Sequence, residues 1–169
     1  MNAVVGMGTI AWLPTFFIRE HGWAPHEIGY AYGAVVSIVG LAGVLAGPRI
    51  ADMLVKRGFR DIYMRFPLYC LAIAQLFSAA SFLVPDAKLA IFFIAIKQFV
   101  TTLPMATMAA ALQLITPNQF RGQVSAIYSF VGQVLAVATG PVIVALITDF
   151  IFHDESMLGE SIIVMIGIF

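Results

Sequence analysis

The chain has 169 residues, 61% of them hydrophobic and only 11% charged, and its acidic and basic residues balance to a net charge of zero. Soluble domains carry about 25% charged residues, so this composition excludes an ordinary soluble fold and gives no basic excess that calls for a nucleic-acid partner. The single cysteine, Cys70, has no partner for an internal disulfide and reads as a small apolar core residue.

Taken in chain order, the apolar residues gather into six segments: Ala3–Ile18, Ile28–Gly47, Ile62–Val84, Leu89–Ile115, Val124–Ile147 and Ser161–Phe169. A helix needs about 20 apolar residues to cross a bilayer, and segments two to five have that length. Backbone in hydrocarbon must satisfy its own hydrogen bonds, and the alternation of a barrel strand is absent, so the segments are predicted to be helices. The expected fold is an all-α integral membrane protein, a six-helix transmembrane bundle. Its last helix, Ser161–Phe169, is too short to cross, and the first opens inside an apolar run, so a piece of a longer protein is expected.

Turn chemistry marks the breaks at His21-Gly22-Trp23-Ala24-Pro25, Pro85-Asp86 and Thr116-Pro117-Asn118. Small residues recur at packing intervals: Gly29, Gly33 and Ser37; Gly43 and Gly47; Gly132, Ala136 and Gly140. Such stripes let helices approach closely, either as sliding surfaces or as static contacts. Pro14 and Pro104 are expected to break the first and fourth helices. Paired breaks in corresponding segments point to a substrate pathway.

Charge sets the orientation. One side of the bilayer would hold Arg49, Lys56, Arg57, Arg60, Arg65 and Arg121, against Arg19 and Lys88 on the other. The side richer in lysine and arginine is predicted to be cytoplasmic, so the first segment leaves the cytoplasm. His21, His26 and His153 all fall on the outer side and lack metal-ligand spacing. No metal, no cofactor and no enzymatic apparatus is expected.

Lys97 is the most informative single residue. It lies about 12 Å down the fourth helix from Leu89, close to mid-membrane. A charge there costs at least about 2.5–3.5 kcal/mol, which favours a cavity or a partner. One reading has Lys97 attracting an anionic solute; the other has it snorkelling to the outer surface. Thr101, Pro104 and Met108 continue its face; Gln98, Gln133, Gln113 and Gln75 could each bind a solute or bridge two helices, with Gln133 ranked above Gln113. Trp12 and Phe16 either line an outer gate or belong to the aromatic belt.

The stretch Gly47-Pro48-Arg49-Ile50-Ala51-Asp52-Met53-Leu54-Val55-Lys56-Arg57 resembles the signature cytoplasmic loop of the major facilitator superfamily. Asp52 fits the family aspartate, and Lys56 and Arg57 fit the basic pair. Pro48, Met53 and Val55 depart from the pattern. Pro117-Asn118-Gln119-Phe120-Arg121-Gly122 is similar to the family's second basic loop, with Arg121 as its basic residue. The stretch Trp12–Gly22 is similar to the start of the C-terminal half in spinster-like members, and Gly140-Pro141 to the end of a later helix.

The resemblance implies a twelve-helix carrier working by alternating access, with residues 1–169 as its C-terminal half and an N-terminal six-helix half as partner. Asp52, Lys56, Arg57 and Arg121 would form a conformational latch, or serve only as topology-setting charges. A secondary-active transporter is expected, moving a small organic and anionic solute across the cytoplasmic membrane. The alternative is a membrane-embedded scaffold with no transport of its own.

Overall fold

A computed structural model describes residues 2–58, 62–149 and 158–168, and every regular element among them is helical. Helix α1 spans Asn2–His21. It stops at Gly22, whose φ of 65° is left-handed and suits glycine, and the Trp23 amide turns back to the Phe17 carbonyl at 3.3 Å. Pro25 then opens α2 (Pro25–Ala34), where its missing N–H would be unpaired anyway, and the Glu27 carboxylate accepts the Ala24 N–H at 2.9 Å.

A π-helical stretch, Val35–Val39, joins α2 to α3 (Gly40–Lys56). Residues 25–56 are thus one rod of 32 residues. At 1.5 Å per residue it is about 48 Å long, against a hydrocarbon core of roughly 30 Å. This corrects the expectation of a loop after Gly47. The helix continues through Pro48 to Lys56, so Asp52 and Lys56 stand on its last turns and Arg57 at its C-cap. Charge there marks where the rod leaves the bilayer, and a helix can go on into water.

Helix α4 (Ile62–Leu83) precedes a short turn in which the Asp86 carboxylate accepts the Lys88 N–H at 2.9 Å and caps α5 (Ala87–Thr102). Helix α6 (Met105–Ile115) continues in the same rod after a break at Leu103 and Pro104. A single 3₁₀ turn, Asn118–Phe120, leads into α7 (Arg121–Ile147), and α8 covers Leu158–Ile168. Arg60, His153 and Phe169, which entered the charge pattern or the expected segments, lie outside the described residues.

Among the described residues, four rods are long and apolar enough to cross a membrane: Pro25–Lys56, Arg65–Leu83, Ala87–Ile115 and Asn118–Ile147. The protein is therefore a multi-pass membrane protein. Its outward faces agree, since Tyr30, Leu76 and Phe130 are 79%, 72% and 69% exposed, a surface that suits lipid and not water.

Two close crossings hold the bundle. At the first, α1 meets α7: a Cβ on Gly140 would sit 2.6 Å from the Val4 carbonyl oxygen, and one on Gly8 would sit 2.9 Å from the Gly140 carbonyl oxygen. At the second, α3 meets the end of α5, and a Cβ on Gly47 would collide with the Leu103 carbonyl. Glycine at these positions lets backbones touch, which replaces the missing hydrophobic drive between helices in lipid. Around the first crossing, Val5, Leu13, Phe17, Ile28, Val144, Ile162 and Met165 form the larger buried cluster. Helix α8 is tied to α7 by the Thr148 hydroxyl, which donates to Ser161 Oγ at 2.9 Å with both residues buried.

The expected break at Pro14 does not occur, because α1 runs through it. Proline removes one backbone hydrogen bond, and a neighbouring helix can hold the rod together where the loss is local. Here the Trp12 indole N–H donates to the Pro141 carbonyl of α7 at 3.1 Å, two residues from Pro14.

Candidate functional site

The break between α5 and α6 follows from Pro104, which has no N–H for the Val100 carbonyl four residues earlier. The last turn of α5 is reinforced by hydroxyls. Thr101 Oγ1 donates to the Lys97 carbonyl at 2.7 Å, and Thr102 Oγ1 donates to the carbonyls of Gln98 at 2.9 Å and Phe99 at 3.0 Å. Beyond the break, Thr107 Oγ1 returns to the Pro104 carbonyl at 2.8 Å. Polar side chains thus stay satisfied inside an apolar rod by bonding to its own backbone.

Beside this break lies a cleft of about 940 Å³. Thr101, Pro104, Met105, Met108 and Leu112 give it one wall, and the first half of α7 from Val124 to Leu135 gives another. Ala3 and Val4 of α1 and Leu71 of α4 close the remainder. The lining is largely aliphatic and methionine, with Tyr128 and Thr101 supplying hydroxyls. Such a surface can hold the apolar body of a small organic molecule, with few polar groups to orient it.

The candidate residues scatter around this cleft. Thr101, Pro104 and Met108 line it. Lys97 is half-buried one turn back from Thr101 and does not itself line the cleft. Gln98 lies against α3: its Nε2 would be 3.4 Å from a Cβ on Gly40. Gln133 is exposed on α7, beside the cleft residue Gly132. Trp12 clamps α1 to α7 through Pro141, and Phe16 is buried at the far end of α1.

Asp52, Lys56 and Arg57 are exposed at the end of α3, and Arg121 opens α7, its Nε donating to the Thr116 carbonyl at 3.2 Å. Sequence reasoning missed Tyr128, Met105 and Val131. Met105, Met108 and Leu112 share one helical face by spacing, and Tyr128, Val131 and Leu135 share another, so the signal existed on each helix. Only the tertiary fold shows that the two faces meet. Among the described residues, no group of three His, Cys, Asp or Glu side chains is placed to hold a metal ion.

Comparison with known proteins adds a family. The profile of the Major Facilitator Superfamily matches residues 1–141. An MFS-type efflux pump of Mycolicibacterium smegmatis is 28% identical over 168 residues, which is 98% of this chain and 38% of that protein. The chain therefore spans well under half the length of this relative. No solved structure matches.

Proposed function

The chain belongs to the Major Facilitator Superfamily, and on that premise we propose that it is one half of a secondary-active transporter moving a small organic anion across the cytoplasmic membrane. The observation that carries the reading is the rod 87–115, which is long and apolar enough to cross the bilayer and holds Lys97, with Thr101 one turn and Pro104 two turns later lining the cleft. An ammonium held in the membrane interior needs a counter-charge, and a solute carboxylate bound near Thr101, one turn from Lys97, would supply one. The aliphatic walls take the rest of the solute.

Alternating access follows if this half rocks against an N-terminal half, with Asp52, Lys56, Arg57 and Arg121 at the cytoplasmic ends of α3 and α7 as the contact that closes one state. The name of the Mycolicibacterium smegmatis relative favours export as the direction. The small-residue stripe Gly29, Gly33 and Ser37, exposed along α2 and the π-helical stretch after it, suits a surface that slides.

Flux tests the reading. The full-length protein in proteoliposomes is offered a panel of labelled carboxylates and amines, and rates are normalised to inserted protein. At least one carboxylate should cross saturably. Lys97→Ala should lower its rate at least tenfold, and Lys97→Arg should restore only part, because a planar guanidinium presents its donors differently. Unchanged flux in Lys97→Ala ends the anion-site claim, and no saturable flux of any solute returns the chain to the scaffold reading.

A further inference from the structure

We propose that the pocket at the opposite end of the bundle is a second binding site, one that takes a small organic cation bearing an ammonium group. It has a volume of about 500 Å³ and lies where the end of α1, the end of α4 and the start of α8 converge. From Ala3 in the first cleft to Glu20 in this pocket, α1 climbs about 25 Å at 1.5 Å per residue, so the two sites do not overlap.

Three observations define the ligand. The first is charge. Glu20 on α1 and Glu160 on α8 both line the pocket, and neither lysine nor arginine is among its described lining residues. The C-terminal carbonyls of α1 add negative partial charge at the same place. The N-terminus of α8 contributes the opposite sign, and Glu160 in its first turn more than offsets it.

The second is an orphaned nitrogen. His21 also lines the pocket, and its Nε2 is buried with no hydrogen-bond partner among the described residues. A buried polar atom left unpaired costs about 1–3 kcal/mol, and with the imidazole proton on Nδ1 this nitrogen is an acceptor for a ligand N–H that recovers the loss.

The third is an aromatic wall. Phe16 and Phe82 meet edge to face with centroids 4.8 Å apart, and Phe16 also stands edge-on to His21 at 5.5 Å. Gly159 makes room for this arrangement, since a Cβ there would come 3.0 Å from Phe16 Cε2. Carboxylates for a positive charge, an acceptor for an N–H and ring surface for hydrocarbon together describe an arylalkyl or alkyl amine. A bare metal ion is a poorer fit, because these side chains are not grouped to coordinate one.

The site stands independently of Lys97, and the test separates them. The full-length protein in phosphatidylcholine nanodiscs is titrated calorimetrically with 2-phenylethylamine, with 2-phenylethanol and 3-phenylpropionate as neutral and anionic counterparts. The amine should bind at least tenfold more tightly than either counterpart. Glu20→Gln and Glu160→Gln should each weaken it about five- to tenfold, and Lys97→Ala should leave it unchanged. Both glutamates are exposed, so the glutamine variants keep the fold, and the three-ligand comparison on the unmodified protein needs no variant at all. No amine binding, equal binding of the alcohol, or full affinity in the Glu20→Gln/Glu160→Gln double variant overturns the proposal.

Discussion

Thr9 and Thr148 lie on the two ends of one physical scale. Thr148 is buried and bonded to both the Val144 carbonyl at 3.0 Å and Ser161 Oγ at 2.9 Å. Thr9 is only 4% exposed, and its hydroxyl has no partner among the described residues. A buried hydroxyl without a partner costs free energy, whereas a satisfied one contributes about 0.5–1.5 kcal/mol. Thr9→Val keeps the shape and removes the orphan, so it should stabilise the protein by about 1 kcal/mol. Thr148→Val should destabilise by about the same amount or more. Thermal unfolding in detergent micelles measures both, and a loss of stability in Thr9→Val would show that its hydroxyl finds a partner.

At the scale of elements, two prolines in membrane helices behave differently. Pro14 sits inside a continuous α1, and Pro104 lies where α5 gives way to α6. Pro104→Ala restores the N–H that the Val100 carbonyl lacks, and should fuse α5 and α6 into one straighter helix. The expected result is a stability gain of about 1 kcal/mol or more from the recovered helical bond, together with slower transport because the cleft wall is redrawn. Melting temperature and proteoliposome flux are read on the same preparation; equal flux would separate the break from function.

The same elements show what a sequence can and cannot convey. The helical rods were legible because hydrocarbon leaves the backbone no other way to satisfy itself. The end of α3 was not, since Pro48, Arg49 and Asp52 look like loop markers, and a charge records the bilayer's edge without recording whether the helix stops. Pro14 and Pro104 could not be told apart because tertiary contacts, such as Trp12 on Pro141, decide the outcome. The cleft was half legible. Lys97, Thr101 and Met108 fall on one face by spacing, while the opposing wall from Val124 to Leu135 and the Ala3–Val4 floor come from distant sequence.

For the whole molecule, orientation is the property on which the functional argument turns. The skew of basic residues toward one side predicts that Lys56 faces the cytoplasm and His26 the outside. Single cysteines placed at 56 and at 26 in a Cys70→Ala background test this with an impermeant maleimide on intact cells. Position 26 should react and position 56 should react only after lysis. The reverse pattern would invert the bundle, leaving the pocket of Glu20, His21 and Glu160 facing inward.

The rod from Pro25 to Lys56 has one more consequence. A helix of about 48 Å in a hydrocarbon layer of roughly 30 Å must tilt or project, and here its final turns carry Arg49, Asp52, Lys56 and Arg57. Arg49 already turns its guanidinium back along the rod to the Leu45 carbonyl at 3.3 Å, an exposed contact that a shift in depth would disturb. Lipids with longer or shorter acyl chains move the boundary along these turns and shift which of them is solvated. Gly47 packs closely against the Leu103 backbone at the broken helix, so such a shift should be felt at the cleft wall. Transport measured in bilayers of graded acyl-chain length should therefore change with thickness, an influence exerted by the surrounding membrane and not by any molecule that binds.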